Sequence, residues 1–383
     1  MKKNRPREDR RLAFVTGSRA EYGLLRSVME AVAGRSGLEL QLVVTGMHLL
    51  KKFGWTVEEV TRDGWRIDAR VRMQKGDDSA TDQAGGLARG VAGIARYCVQ
   101  AGTDIIVVLG DRIEAMAGAL AGVTTGCVVA HIHGGDVAPG DFDDSLRHAI
   151  TKLAHVHLVA TQAARRRIIR MGESLDRVHV VGAPGLDRLF DLIRQTPQPR
   201  SRSNRALIIQ HACGRGPDRE RRTMESILHT VEQAGLARTI LYPNTDRGHS
   251  GILQAIEAHQ CRTGADSVQI IRSVDRDRYL RLLIDSAVLV GNSSSGIIEA
   301  PVAGTATVNI GPRQAGRQPA GRSVVHAEES HASIRKALEE ALRKRPVMGR
   351  STVYGRGEAG KRICGILARV PTGDRFRRKS ISY

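Results

Sequence analysis

Ile105-Ile-Val-Val-Leu109 is an unbroken run of five apolar residues. It is closed by Gly110-Asp-Arg112 and followed by a helix-like stretch from Ile113 to Ala121. A continuous apolar run of strand length suits a strand covered on both faces, which is the usual state of strands in parallel sheets flanked by helices. The same alternation extends outward in both directions. Upstream lie a strand at Leu12–Thr16, a helix at Tyr22–Ala33, a strand at Leu38–Val44 and a helix at Ala84–Gln100. Downstream come a strand at Cys127–Ile132, a helix at Ser145–Ala154 and a strand at Val156–Ala160. Strand and helix in turn predict a doubly wound parallel sheet.

The pattern breaks at Gly182-Ala-Pro-Gly185, and the Pro/Arg/Ser stretch from Pro197 to Asn204 reads as a linker. It then restarts, with strands at Ala206–Ile209, Thr239–Tyr242, Val268–Ile271, Ala287–Val290 and Ala306–Ile310. The intervening helices are expected at Glu220–Gln233, Ile252–His259, Asp277–Asp285 and Gly296–Ala303, with late helices at Ser330–Arg343 and Glu358–Ala368. A sequence of 383 residues is long enough for two domains. Two similar halves joined in tandem are expected, whose strand ends can face each other across a cleft. Open α/β sheets bind ligands beyond the carboxyl ends of their strands, so the loops after Thr16, Val44, Leu109, Ile132, Ile209, Tyr242, Val290 and Ile310 are where chemistry is expected.

Composition narrows the class. With 41% hydrophobic and 26% charged residues the protein is globular, not disordered. No apolar run approaches the ~20 residues of a membrane helix, and the basic N-terminus lacks the apolar core of a signal peptide, so a cytoplasmic protein is expected. Cys98, Cys127, Cys213, Cys261 and Cys364 lie far apart, which points to reduced thiols and not to a zinc cluster or disulfide framework. The net charge is +19. Such a charge suits polyanions, but aromatics are only 3% and arginine is spread along the sequence, which argues against nucleic acid as the partner. Only Lys2–Arg11 and Arg375–Lys379 are locally basic, and both are read as solvated tails.

The strand-end loops are dense in chemistry. Thr16-Gly-Ser-Arg-Ala-Glu-Tyr-Gly23 offers a glycine turn that would let backbone approach a ligand and Arg19 to clamp a phosphate, but it is not the G-x-G-x-x-G of nicotinamide-binding folds. His48 follows the second strand. Asp111 follows a buried strand, where desolvation would suit it to acid/base work or where it would cap the next helix. Residues 131–148 hold His131, His133, Asp136, Asp141, Asp143, Asp144, Arg147 and His148. There is no H-x-x-x-H ligand helix in this stretch, so acid/base chemistry is favoured over a metal. In the second half, His211, then Asn244 and Asp246, end strands. Gly291-Asn-Ser-Ser-Ser-Gly296 between a strand and a helix reads as a phosphate cradle, with Ser293, Ser294 and Ser295 as donors and Glu299 one turn later for ribose hydroxyls. Arg313 and Arg317 sit in a glycine-rich loop suited to closing over phosphates.

Taken together, TGSRAEYG (Thr16–Gly23), VTGMH (Val44–His48), LGDR (Leu109–Arg112), HIHGG (His131–Gly135), FDDSLRHAITKLAH (Phe142–His155), YPNTD (Tyr242–Asp246), GNSSSGIIE (Gly291–Glu299) and NIGPRQAGR (Asn309–Arg317) resemble, in family order, the hydrolysing UDP-N-acetylglucosamine 2-epimerases of bacterial sialic and related nonulosonic acid synthesis. The resemblance implies a GT-B-like α/β fold of two Rossmann-like domains with parallel sheets facing an interdomain cleft. Residues 1–185 would form the acid/base domain and 186–357 the UDP-binding domain, with the last helix, in 358–383, returning to the first. It implies diphosphate contacts at Ser293 and Ser294, ribose at Glu299, a phosphate-side Arg19, an active-site His211 and acid/base carboxylates at Asp111 and Asp143. Arg147 joins these as a catalytic candidate, and His48, Asn244, Asp246, Ser295 and Arg313 as candidate UDP or substrate contacts. Where the family pattern H-x-E-G-G often carries a catalytic glutamate this protein has His133, and Asp136 stands one methylene shorter than the glutamate of the sialic-acid branch, so either could take the missing carboxylate's role. No cofactor and no metal are implied, the partner is a UDP-sugar, and a homodimer or homotetramer is expected. A GT-B glycosyltransferase would use the same cradle. A nucleic-acid-binding protein rests on net charge alone.

Overall fold

The computed structural model describes residues 9–51, 54–75, 80–138, 143–195, 203–243, 246–264, 268–272, 274–344 and 346–382. The protein forms two compact units. The first comprises Met1–Asp136, Asp143–Asp187 and Glu358–Tyr383, and the second Val137–Phe142 and Arg188–Gly357. The expected linker falls largely outside the described residues.

The first unit holds a parallel sheet of seven strands: β1 (Arg10–Thr16), β2 (Leu38–Thr45), β3 (Ala69–Val71), β4 (Ile105–Leu109), β5 (Val128–Ile132), β6 (Val156–Val159) and β7 (Val178–Val180). Their spatial order is β3-β2-β1-β4-β5-β6-β7. The period of two along each strand sends alternate residues to different cores. Leu12 and Phe14 of β1 pack with Leu42, Ile105 and Val107 against the helix Arg19–Ala33. Ala13 and Val15 pack with Val43, Ile106 and Val108 on the opposite face. Both faces are buried, which is why these strands read as unbroken apolar runs. The late helix Ala359–Leu367 places Ile363 and Leu367 in the first of these cores. Its first turn is held by Asp187, whose two carboxylate oxygens accept the N–H groups of Ala359 and Gly360 at 2.9 and 2.7 Å.

The second unit repeats the plan with β8 (Arg205–Ile209), β9 (Ala237–Leu241), β10 (Val268–Ile271), β11 (Val288–Gly291), β12 (Ala306–Ile310) and β13 (Val324–Ala327), ordered β10-β9-β8-β11-β12-β13 and parallel throughout. In both sheets the order reverses beside the first strand, between β1 and β4 and between β8 and β11. Such a switch point opens the crevice that doubly wound sheets use for ligands.

The structure departs from the sequence expectations in several places. The short edge strands β3, β7 and β13 were not anticipated, because three or four residues carry too little periodicity to stand out. The single helix expected at Gly296–Ala303 is two separate turns, Ser295–Ile298 and Ala300–Ala303. Pro301 has no N–H to continue the ladder, so the helix breaks there. The basic ends are not free tails where they are described. Arg10 and Arg11 lie in β1, and Arg11 donates to Glu39 at 2.8 Å.

At the other end Lys379 pairs with buried Glu173 at 2.7 Å. Glu173 also accepts from Lys152 and from Nε2 of His157, at 3.0 Å from the latter. Burial works against ionising Glu173, but these donors outweigh it and hold the carboxyl down at about 2. A depressed carboxyl contributes stability above its ordinary value near 4.5, and that contribution is lost as the pH falls toward 2. Glu173→Gln is therefore expected to lower stability at pH 7 by about 3–5 kcal/mol and to flatten the loss of stability between pH 4.5 and 2. Urea unfolding at pH 7 and pH 3 checks both, and equal urea midpoints for wild type and variant at pH 7 would remove the network as a stabilising element.

Candidate active site

In the first unit the loops after β4 and β5 converge on one guanidinium. Arg147 lies in the helix Asp143–Leu153 and is only 2% exposed. It forms ion pairs with Asp111 and with Asp144, and it donates to the backbone carbonyl of Asp136 at 3.0 Å. A buried guanidinium needs such partners, because an unpaired charge in the interior is costly. Asp111 is therefore not an isolated desolvated acid, as its position after a buried strand suggested. Its side chain is 24% exposed and meets a fixed positive charge. It also does not cap the following helix, whose N-cap is Arg112.

His133 and Asp136, the two alternatives for the missing glutamate, are one pair. Nδ1 of His133 lies 3.3 Å from Oδ2 of Asp136, and both residues are buried. His133 has φ +64, a left-handed conformation uncommon for a residue with a Cβ, so the turn holds its ring under backbone strain. The neighbouring His131 serves differently. Burial pushes its imidazole down to about 3, and its neutral ring joins the carbonyl of Gly110 at 2.7 Å to the hydroxyl of Thr151 at 3.4 Å. That contact ties the Asp111 loop to the helix bearing Arg147. Asp143 occupies the first position of the same helix.

Across the switch point, Gly17 and Arg19 follow β1. The helix Arg19–Ala33 is capped by Ser18, whose hydroxyl accepts from the Glu21 N–H. Gly17 is required by packing more than by ligand approach: a Cβ there would lie 2.3 Å from the side chain of buried Glu114. Glu114 takes a hydrogen bond from Gln74 at 3.0 Å. Burial, with Glu114 alongside, pushes the carboxyl of Glu21 up to about 8. His48, expected as a ligand contact, has no exposed surface. Its ring nitrogens reach the hydroxyls of Thr16 at 3.2 Å and Thr56 at 2.8 Å, and burial pushes it down to about 4. It frames the loop from beneath.

In the second unit β8 delivers Gln210 and His211, and β11 delivers Asn292–Ser295. The crossing is tight. Gly291 has φ +138, and a Cβ on it would stand 2.0 Å from the carbonyl oxygen of Ile209. Ser293 and Ser294 are partly exposed, whereas Ser295 is buried with its hydroxyl on Tyr279. The turn thus presents Ser293 and Ser294 outward. The helix dipole expected behind it reduces to that of the four-residue turn Ser295–Ile298. Glu299 is buried and ion-paired with Arg276. Asp246 and Arg313 pair with each other at 3.4 Å. Asn244 lies outside the described residues.

Asp144, Asn292, Gln314, Arg276 and Tyr279 shape these sites and were not singled out from the sequence. Asp144, Asn292 and Gln314 lay inside motifs that could have flagged them. Among the described residues, no three or more His, Cys, Asp or Glu side chains are placed to hold a metal ion. No described helix is long and apolar enough to cross a membrane.

Comparison with known proteins identifies the family and the fold. The family model described as UDP-N-acetylglucosamine 2-epimerase matches residues 30–368. A UDP-N,N'-diacetylbacillosamine 2-epimerase (hydrolyzing) of Legionella pneumophila is 32% identical over 381 residues, covering 98% of this protein and 100% of that one. A UDP-N-acetylglucosamine 2-epimerase of Neisseria meningitidis is 31% identical over 338 residues, 87% of each protein. In fold, the protein resembles the crystal structure of UDP-GlcNAc 2-epimerase from Neisseria meningitidis bound to UDP-GlcNAc, with a TM-score of 0.78 at 15% identity, covering 94% of this protein and 100% of that one. Two Rossmann-like units of parallel sheet are the GT-B-like architecture expected. With the family match running from the first helix of the first unit to the last one packed on it, the chain belongs to the UDP-N-acetylglucosamine 2-epimerase family.

Proposed function

We propose that the protein is a hydrolysing 2-epimerase of a UDP-2-acetamido sugar. UDP-N-acetylglucosamine is the first candidate substrate, and UDP and N-acetylmannosamine the products. In the first half of the reaction the C1–O bond to UDP breaks as the C2 proton is removed, leaving a glycal. In the second half water supplies a hydroxyl at C1, and C2 takes a proton on the opposite face. Substrate plus water thus equals UDP plus the epimerised sugar. The C2 hydrogen has no adjacent carbonyl, so departure of the diphosphate must lead.

The observation that carries this reading is the convergence of Asp111, Asp144 and the Asp136 backbone on Arg147, with the His133–Asp136 pair alongside. Inversion at C2 needs two proton-transfer groups, and Asp111, His133, Asp136 and Asp143 are the set from which they are drawn. Correctly placed acid/base groups supply about 10²–10⁴-fold each. Ser293 and Ser294, with His211, would carry the diphosphate, and fixed donors of this kind contribute ~3 kcal/mol each. Glu299, on this reading, offers the ribose its carboxylate while Arg276 holds it in place.

Turnover in heavy water is expected to place deuterium at C2 of the released sugar, read by proton NMR. Product carrying only protium at C2 would rule out the route. UDP release with no acceptor present separates the epimerase from a glycosyltransferase. A second substrate, the UDP-2,4-diacetamido sugar, is favoured by the full-length match to the Legionella protein named for it. Comparing kcat/KM for the two nucleotides decides between them.

A further inference from the structure

Asn292 is fully buried at the point where β8 and β11 part. Its N–H makes one last ladder bond, to the carbonyl of Ile209 at 3.1 Å. Beyond that the backbones diverge and its side chain takes over. Oδ1 accepts the N–H of His211 at 2.7 Å, and Nδ2 donates to the carbonyl of the same residue at 2.8 Å. A primary amide carries a donor and an acceptor side by side, so it can replace a peptide group in a ladder, which a carboxylate or a hydroxyl of this size cannot do. Both amide atoms are satisfied in only this orientation. The backbone carbonyl of Asn292 in turn accepts from Nε2 of Gln314 at 2.9 Å, and Oε1 of buried Gln314 accepts from Nε of Arg317 at 2.8 Å. One continuous series of hydrogen bonds therefore runs from the His211 backbone through the serine turn to the guanidinium of Arg317.

We propose that Asn292 and Gln314 are positioning residues. They lock His211 and Arg317 to the Ser293–Ser294 turn, so that a diphosphate seated on the turn fixes the histidine and the arginine together. This deepens the reading of His211 as a diphosphate-side group and rests on it. The three loops come from three different strands, and the Asn292 amide is what registers the His211 backbone to the turn.

The test combines kinetics with the ¹³C-labelled histidine spectrum, the His211 signal being assigned from its loss in His211→Gln. Asn292→Ala is expected to lower kcat about 100-fold, the scale of an ångström misplacement, while KM and UDP affinity by calorimetry change no more than a few fold. In the wild type UDP shifts and sharpens the His211 signal; in Asn292→Ala UDP binds but leaves it unchanged. Gln314→Leu, which keeps the volume and removes only the polar relay, covers the case in which Asn292→Ala does not fold. It is expected to lower kcat about 10-fold through loss of the Arg317 contact, with the His211 response to UDP kept, because the Asn292 amide still holds that backbone. Unchanged kcat in both variants, or kcat, UDP affinity and melting temperature falling together, overturns the proposal. So does a wild-type His211 signal indifferent to bound UDP. A wild type that turns over no UDP-sugar but shows the UDP-dependent signal, lost in Asn292→Ala, overturns the functional reading and supports the clamp.

Discussion

Asp111→Asn is expected to cut turnover about 10²–10⁴-fold, the range for losing a placed acid or base, in a protein that still folds and still binds UDP. Asparagine keeps the shape of the side chain and an oxygen that can accept from Arg147, but it can neither take a proton nor carry a charge. The fold should survive because Arg147 keeps its ion pair with Asp144 and its hydrogen bond to the Asp136 carbonyl. Asp111 itself is a quarter exposed, so the change buries no new unpaired charge. UDP affinity should survive because the proposed diphosphate groups Ser293, Ser294 and His211 belong to the second unit. Steady-state kinetics, calorimetry with UDP and thermal unfolding measure the three quantities separately. A near-normal rate would remove Asp111 from the chemistry, and a collapse in melting temperature would recast it as a structural partner of Arg147.

Gly291→Ala should be among the most damaging single methyl additions in the second unit. A Cβ at this position would come 2.0 Å from the Ile209 oxygen and 2.6 Å from its carbonyl carbon, and both are backbone atoms that no rotamer change can move. The residue also sits at φ +138, where a side chain is strained whatever the space. Strain of about 1–3 kcal/mol for the backbone conformation adds to the steric term, so a loss above about 3 kcal/mol is expected. The Ile209 carbonyl is also the acceptor for the Asn292 N–H, so the clash would displace the His211 clamp as well. Gly365, in the helix Ala359–Leu367, is the control, since a Cβ there meets nothing within 4 Å. Gly365→Ala should be neutral or stabilising by up to about 1 kcal/mol. Denaturant unfolding of the two variants side by side makes the comparison, and equal midpoints would mean the β8–β11 crossing is looser than its geometry.

The order of strands and helices was readable because the central strands lie between two apolar layers and so are mostly apolar. Leu12–Thr16 and Ile105–Leu109 are plain examples. The edge strands β3, β7 and β13 escaped because three or four residues carry little periodicity; the equally short edge strand β10 was read only from its place in the strand and helix alternation. The helix break at Glu299–Pro301 was legible in principle: the proline stands in the sequence, but the pull of the surrounding Gly-Ile-Ile-Glu-Ala pattern outweighed it. The basic ends were misread for another reason. Lys379 looks like tail charge until Glu173, more than two hundred residues earlier, is placed beneath it.

The amino-acid sequence by itself was enough to set the alternation of elements, the glycine- and serine-rich turns at the strand ends and the gathering of carboxylates around residues 131–148, because these depend on neighbours within a few positions. Which of those groups meet could come only from folding. Arg147 selects Asp111 and Asp144, His133 finds Asp136, Thr16 and Thr56 enclose His48, and an asparagine in a serine-rich turn becomes the clamp on a histidine eighty-one residues away. The reason is physical. Propensity and hydrophobic period are local quantities. A buried charge or amide must instead be satisfied by whatever the sheet's crossover connections bring beside it, and the pairing of distant strands decides what that is.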